Sequence, residues 1–158
     1  MRPTRDTTRR MAAPLHTPLD MRTKLSARTA IRDLMTEAPH SIGHDQSMAL
    51  AHERMRELGV RHLPVLHAGR IVGVVSQRDL YLVETLDRFD PKTVRVEEAM
   101  AQDVYQVTPG TLASEVAGVM AERKLGCAVV VEHGKVVGLF TTTDACRALA
   151  AALAAGDA

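Results

Sequence analysis

A chain of 158 residues holds one ordinary domain, or two very small ones that share a core. Its hydrophobic content of 46% suits a globular protein, while 3% aromatic residues and the absence of tryptophan leave the core to Val, Leu, Ile, Met and Ala. No apolar run approaches the roughly 20 residues that cross a bilayer, and a formal net charge of +1 exerts no general pull on nucleic acid.

The charge is nevertheless uneven. Residues 1–24 carry Arg2, Arg5, Arg9, Arg10, Arg22 and Lys24 against only Asp6 and Asp20, with Pro3, Pro14 and Pro18 breaking any periodic pattern. This reads as a flexible basic tail. It lacks the apolar stretch of a secretory signal, so a cytoplasmic protein is expected, although an Arg- and Thr-rich leader also resembles an organelle transit peptide. Contact between the tail and nucleic acid is disfavoured, because stacking aromatics are missing there.

Order is expected from near Lys24. Ile31, Leu34 and Met35 share one face of a short helical turn, and Pro39 then pushes its predecessor toward an extended conformation before a short strand around His40-Ser41-Ile42. Met48, Ala51, Met55 and Leu58 fall at helical spacing, with Asp45 or Ser47 to cap the start and Gly59 to cap the end. Leu63–Leu66 and Arg70–Val75 read as two strands joined through His67-Ala68-Gly69. Ser76 opens a second helix through Leu80, Val83 and Leu86, and Asp90-Pro91 ends the unit.

The second half repeats this order. Gly73-Val-Val-Ser76-Gln-Arg78-Asp79 returns as Gly138-Leu-Phe-Thr141-Thr-Thr143-Asp144, and Met35, Met55, Val65 and Gly69 find Met100, Met120, Val130 and Gly134 at the same offset. A helix from about Leu112 to Lys124, strands at Ala128–Val131 and Val136–Phe140, and an Ala-rich helix from Thr141 to about Ala154 complete it. The fold class expected is α+β: two tandem β-α-β-β-α repeats, residues 25–90 and 91–158, packed sheet to sheet about a pseudo-twofold axis with helices outside. Each repeat is marginal alone, so the pair buries what neither buries separately.

Ser/Thr-x-x-Asp at a helix start is, from the residues alone, also a capping box. An ionised carboxylate equally accepts from two adjacent ribose hydroxyls, and a helix N-terminus offers N–H groups to an anion, with Arg78 adding positive charge. The two roles are compatible.

The doubled motif, the openings Ile31-Arg32-Asp33-Leu34-Met35-Thr36 and Val96-Glu97-Glu98-Ala99-Met100, and the strands Leu63-Pro64-Val65 and Ala128-Val129-Val130 resemble a pair of cystathionine-β-synthase (CBS) domains, the tandem called a Bateman module. The resemblance covers roughly Ala30 to Leu153. It implies a regulatory, energy-sensing module that binds AMP, ADP, ATP, S-adenosylmethionine or a cyclic dinucleotide in clefts between the repeats. By that resemblance Asp79 and Asp144 receive ribose hydroxyls, and Ser76 and Thr141 lie near phosphate. The base rests on Ile42, His62, Leu63 and Pro64, or on Val107, Cys127, Ala128 and Val129. The copies differ: Arg78 and Pro64 of the first are replaced by Thr143 and Val129 in the second, so the clefts need not be equivalent.

Other chemistry finds little support. His40 with His44, and His62 with His67, lack a Cys or carboxylate at ligand spacing, so no metal is expected. Cys127 lies in an apolar run and reads as a buried thiol. No nucleophile elbow, P-loop or Gly-x-Gly-x-x-Gly is present, and no catalytic residue or required cofactor is expected. A homodimer through helices Arg78–Leu86 and Ala145–Leu153 and a regulated protein partner are the expected associations. The alternative function is a structural adaptor or dimerisation module with empty clefts.

Overall fold

The structure, a computed structural model, describes residues 25–156; the basic tail expected over residues 1–24 lies outside the described residues. A 3₁₀ turn at Ile31–Asp33 leads to strands β1 (Thr36–Glu37) and β2 (Ile42–Gly43). Helix α1 (Met48–Leu58) begins where Ser47 Oγ accepts the Leu50 N–H at 3.2 Å, and stops at Gly59, whose φ of 64° is left-handed. Strands β3 (His62–His67) and β4 (Arg70–Ser76) form the expected hairpin. Its turn has Ala68 at φ 48° and Gly69 at φ 77°, the paired positive values of a type I′ turn, whose twist matches the flanking strands. Helix α2 (Gln77–Glu84) ends before Leu86, because the Thr85 hydroxyl and N–H both bond back to its last turn.

The second half supplies α3 (Val96–Ala99), β5 (Gln106–Val107), α4 (Ala113–Glu122), β6 (Cys127–Glu132), β7 (Lys135–Thr141) and α5 (Thr142–Gly156). Its hairpin turns through His133 and Gly134, again both at positive φ.

Strands β2, β3 and β4 form a three-stranded sheet, with Ile42 beside Val65 in parallel and Pro64 opposite Val74 in antiparallel register. The other sheet has four strands in the order β1-β7-β6-β5. Its edge strand β1 comes from the opening of the first repeat and pairs with the second, Thr36 opposite Leu139. The second repeat's opening returns the arrangement, with Ala101 bridging Val74 through hydrogen bonds of 2.9 and 3.0 Å. Backbone contacts repeat the exchange: Ile31 N–H donates to Thr111 C=O at 2.8 Å, and Val96 N–H to Gln46 C=O at 2.8 Å. This crossing of the openings is not visible in the linear order of elements.

Three buried clusters follow. Val94 and Val96 of the second opening join Ile42, Met48, Met55, Leu63, Val65 and Leu80 in one core. Ile31 and Leu34 of the first join Val116, Met120, Ala128, Val130 and Phe140 in the other. Between the sheets Val74, Val129 and Leu139 close the interface. The openings dock on glycines: a Cβ at Gly73 would stand 2.4 Å from Met100 Sδ and 3.0 Å from Ala101 O, and one at Gly138 2.1 Å from Met35 Sδ.

Alanine substitution therefore has opposite signs at two glycines. Gly73→Ala forces Met100 and the Ala101 backbone away and is expected to lower unfolding free energy by about 1–3 kcal/mol. Gly118→Ala, in the interior of α4 with open space around it, is expected to raise it by roughly 0.5–1 kcal/mol. Urea denaturation of both variants checks this; a neutral Gly73→Ala contradicts the docking.

Candidate functional site

Each Ser/Thr-x-x-Asp motif folds as a reciprocal cap. Asp79 Oδ2 accepts from Ser76 N–H and Ser76 Oγ, both at 2.7 Å, while Asp79 N–H donates back to Ser76 Oγ at 3.4 Å. In the second copy Asp144 Oδ2 accepts from Thr141 N–H at 2.8 Å and Thr141 Oγ1 at 2.7 Å. The two carboxylates part at their other oxygen. Asp144 is only 5% exposed, and its Oδ1 accepts from Arg147 Nη1 at 3.0 Å. The first repeat has the apolar Leu82 where the second has Arg147, and Asp79 Oδ1 accepts no hydrogen bond among the described residues.

Asp79 opens on a cleft of about 750 Å³ between the repeats. The first repeat contributes Arg61, His62, Val74, Ser76, Gln77, Arg78 and Tyr81 to its walls. The second adds the loop from Ala101 through Tyr105, the C-terminal end of α4 with Lys124, and Gly126, Cys127, Val129 and Thr142. Three cations, Arg61, Arg78 and Lys124, thus meet Asp79 and Asp103 against an apolar wall of Val74, Cys127 and Val129. Helix α2 offers fewer amides than expected, because Gln77 N–H donates to Arg61 C=O at 2.9 Å and Asp79 N–H to its own cap. Positive charge here comes mainly from side chains.

Of the residues singled out in the sequence, Ser76, Arg78, Asp79, His62, Cys127 and Val129 line this one cleft. Ile42 and Leu63 are buried in the first core and Ala128 in the second; Pro64 is buried within β3, and Val107 packs at the margin of the second core. Thr141 caps α5, and Thr143 Oγ1 accepts from Arg61 Nη2 at 3.0 Å, tying the repeats together. The strand residues lie inside because β3 and β6 are covered on both faces, which leaves no alternation to read. Tyr105 and Lys124 were not anticipated. Lys124 carried a signal: it stands where the first repeat has the capping Gly59, and it holds the same left-handed conformation at φ 56°. A lysine in that region bears a steric penalty glycine avoids.

Cys127 is no nucleophile, since burial pushes its thiol from 9.0 up to about 11. His62 packs over Gly126, where a Cβ would stand 2.6 Å from its Nε2. Burial lowers the His62 pKa; Arg61 adds to the drop, Asp79 opposes it and Arg78 adds a little more. His62 is therefore neutral at pH 7. Below its ordinary value of 6.5, the unfolded chain binds a proton that the folded chain excludes, so stability falls with pH until the lower folded value is reached. His62→Gln should lose less stability than the wild type between about pH 7.5 and 5.5 in urea titrations. Equal losses would remove His62 from that dependence.

Comparison with known proteins agrees with this architecture. Residues 31–83 and 96–151 each match the family model of the CBS domain. The inosine-5'-monophosphate dehydrogenase of Korarchaeum cryptofilum is 33% identical over 115 residues, covering 72% of this chain and 22% of the enzyme, so the chain spans about a fifth of that relative's length. Among solved structures, CBSX2 in complex with AMP is 29% identical with a TM-score of 0.67, over 77% of this chain and 96% of that one. The CBS domain pair of protein MJ0100, in complex with 5'-methylthioadenosine and S-adenosyl-L-methionine, is 22% identical with a TM-score of 0.70, over 77% and 99%, a likeness of fold. Among the described residues, no helix is long and apolar enough to cross a membrane. With both repeats matched and the same paired sheets in solved relatives, the chain belongs to the CBS-domain family as a tandem pair.

Proposed function

We propose that this chain is a regulatory module that binds an adenosine-containing ligand of the AMP, ADP, ATP, S-adenosylmethionine or cyclic dinucleotide class in the cleft beneath Asp79. One observation carries the reading: Asp79, whose Oδ1 has no protein donor among the described residues, lines the same cleft as three cations and an apolar wall. Ribose hydroxyls donate to Asp79 Oδ1, phosphate lies among Arg61, Arg78 and Lys124, and the base rests on Val104 and Cys127, with Val74 and Val129 buried behind them. The AMP complex of CBSX2 supports the same class of ligand. The second motif works as a cap, because Arg147 holds the oxygen that a ribose would need. One nucleotide per chain follows.

Isothermal titration with AMP, ATP, S-adenosylmethionine and cyclic di-AMP should find at least one ligand binding well below millimolar. Asp79→Ala should abolish binding, while Asp144→Ala should lower stability by about 1–3 kcal/mol and leave affinity within a few-fold. Lys124→Gly should raise stability by roughly 1 kcal/mol yet weaken a phosphorylated ligand. Silence across the panel favours the adaptor reading, in which the clefts stay empty.

Association through the outer helices is part of the proposal. Tyr81 and Leu82 on α2 and Leu149 and Leu153 on α5 are more than half exposed, Leu82 at 63%. Light scattering should give about twice the chain mass, and Leu82→Glu combined with Leu149→Glu should return the monomer. A monomeric wild type rejects the dimer.

A further inference from the structure

We propose that His44 and His67 form a two-imidazole site for a divalent zinc-class ion, with Glu97 orienting His44, at a place remote from the Asp79 cleft. His44 Nε2 and His67 Nδ1 are in direct contact. The other His44 nitrogen, Nδ1, lies 2.9 Å from Glu97 Oε2. With Nδ1–H directed at that carboxylate, the His44 tautomer that presents a lone pair at Nε2 is the one that ligates a metal. Carboxylate, imidazole and metal in that order are a recurrent arrangement at zinc sites, the carboxylate fixing the tautomer and raising the basicity of the ring.

Backbone pairing builds the site. Strands β2 and β3 run parallel, with Gly43 beside Leu66, so the next residues, His44 just past β2 and His67 at the end of β3, stand side by side. His44 N–H donates to Leu66 C=O at 3.1 Å, and Glu97 N–H donates to His44 C=O at 2.9 Å. Main chain and side chain therefore both clamp Glu97 to His44. Arg95 Nη1 lies 3.7 Å from the other Glu97 oxygen. His44 and Glu97 side chains are 25% and 39% exposed, and His67 is exposed, so the ring nitrogens meet where water reaches them.

The fold does not require this cluster. At the matching positions the second repeat has Pro109 and Glu132 in place of the histidines, and the first opening has Arg32 in place of Glu97, while the sheets keep the same register. Among the described residues no group of three or more His, Cys, Asp or Glu converges on one point. The chain thus supplies two corners of a tetrahedral site and water the others. Zinc–nitrogen distances of about 2.0–2.1 Å set the two nitrogens roughly 3.3 Å apart, a separation that rotation of the exposed His67 ring provides. Imidazole pairs suit zinc, nickel and copper over magnesium or calcium.

Because Glu97 belongs to the second repeat's opening and both histidines to the first repeat, a bound ion strengthens the contact that docks that opening. Zinc sulphate titrated into untagged, EDTA-dialysed full chain should show one saturable equivalent at micromolar concentration and raise the melting temperature. His67→Ala should abolish both effects, and Glu97→Gln should weaken binding about 10- to 100-fold. His133→Ala, at an exposed turn of the other repeat, should change neither. Cobalt(II) in place of zinc should give visible d–d absorption that His67→Ala removes. No binding, or binding and cobalt absorption unaltered by His67→Ala, overturns the site; in the first case the two rings share only a proton, and in the second the ion is held elsewhere on the chain.

Discussion

The exchange of opening segments is the constraint on which everything else rests. Met100 occupies the space a side chain at Gly73 would need, and Met35 does the same at Gly138, so each repeat's sheet is finished by the other repeat's leader. Ile31 and Val96 are fully buried in cores that their own repeats do not own. Full burial of such a side chain is worth about 1.5–3 kcal/mol, so detaching an opening exposes apolar surface in both the leader and the sheet it leaves. Two units of this size cannot be taken apart without loss to each. The cleft inherits that rigidity, since the loop from Ala101 to Tyr105 follows directly on the docked segment.

A symmetric frame carries asymmetric chemistry. The backbone repeats down to the hairpin turns and the shift of register in the middle of each hairpin. The side chains then diverge where they face the cleft. Arg78 stands opposite Thr143 in the repeat alignment, Lys124 opposite Gly59, and Arg147 opposite Leu82. The first two substitutions add positive charge to the cleft of Asp79, and the third closes the acceptor of Asp144. The scaffold is repeated, and single side chains set its two halves apart.

What was legible in the sequence is what is encoded locally. Both caps connect residues three apart, Ser47 and Gly59 bracket α1, and the hairpins turn at Gly69 and Gly134, so adjacent residues carry all of these signals. The exchanged openings were hidden, because Ile31, Leu34 and Met35 say only that one face must be buried. They do not say against which sheet, and the pairing of Thr36 with Leu139 is a tertiary choice. Ile42, Leu63 and Ala128 lie in the cores, which their sequence does not reveal, since a strand covered on both faces looks uniformly apolar. The meeting of His44 with His67 depends on the parallel register of β2 and β3, which pairs histidines other than those closest in sequence.

The motif's cap and its proposed ribose contact involve different oxygens of one carboxylate. A carboxylate has two, and a reciprocal cap engages only Oδ2. Fold stability and ligand contact therefore need not compete for the same atom. In the first repeat Asp79 lines a cleft together with cations, its Oδ1 takes no protein donor among the described residues, and the residue one helical turn on is an exposed leucine that donates nothing. In the second the same turn of helix carries Arg147, and Oδ1 becomes part of the protein's own hydrogen bonding. A carboxylate buried to 5% with a guanidinium on its outer oxygen would have to give up a charge-assisted bond to accept a ribose, a penalty of about 1.5–3 kcal/mol that Asp79 does not face. On the proposed reading, the choice between ribose acceptor and cap is made by the residue three positions after each aspartate, not by the aspartate itself.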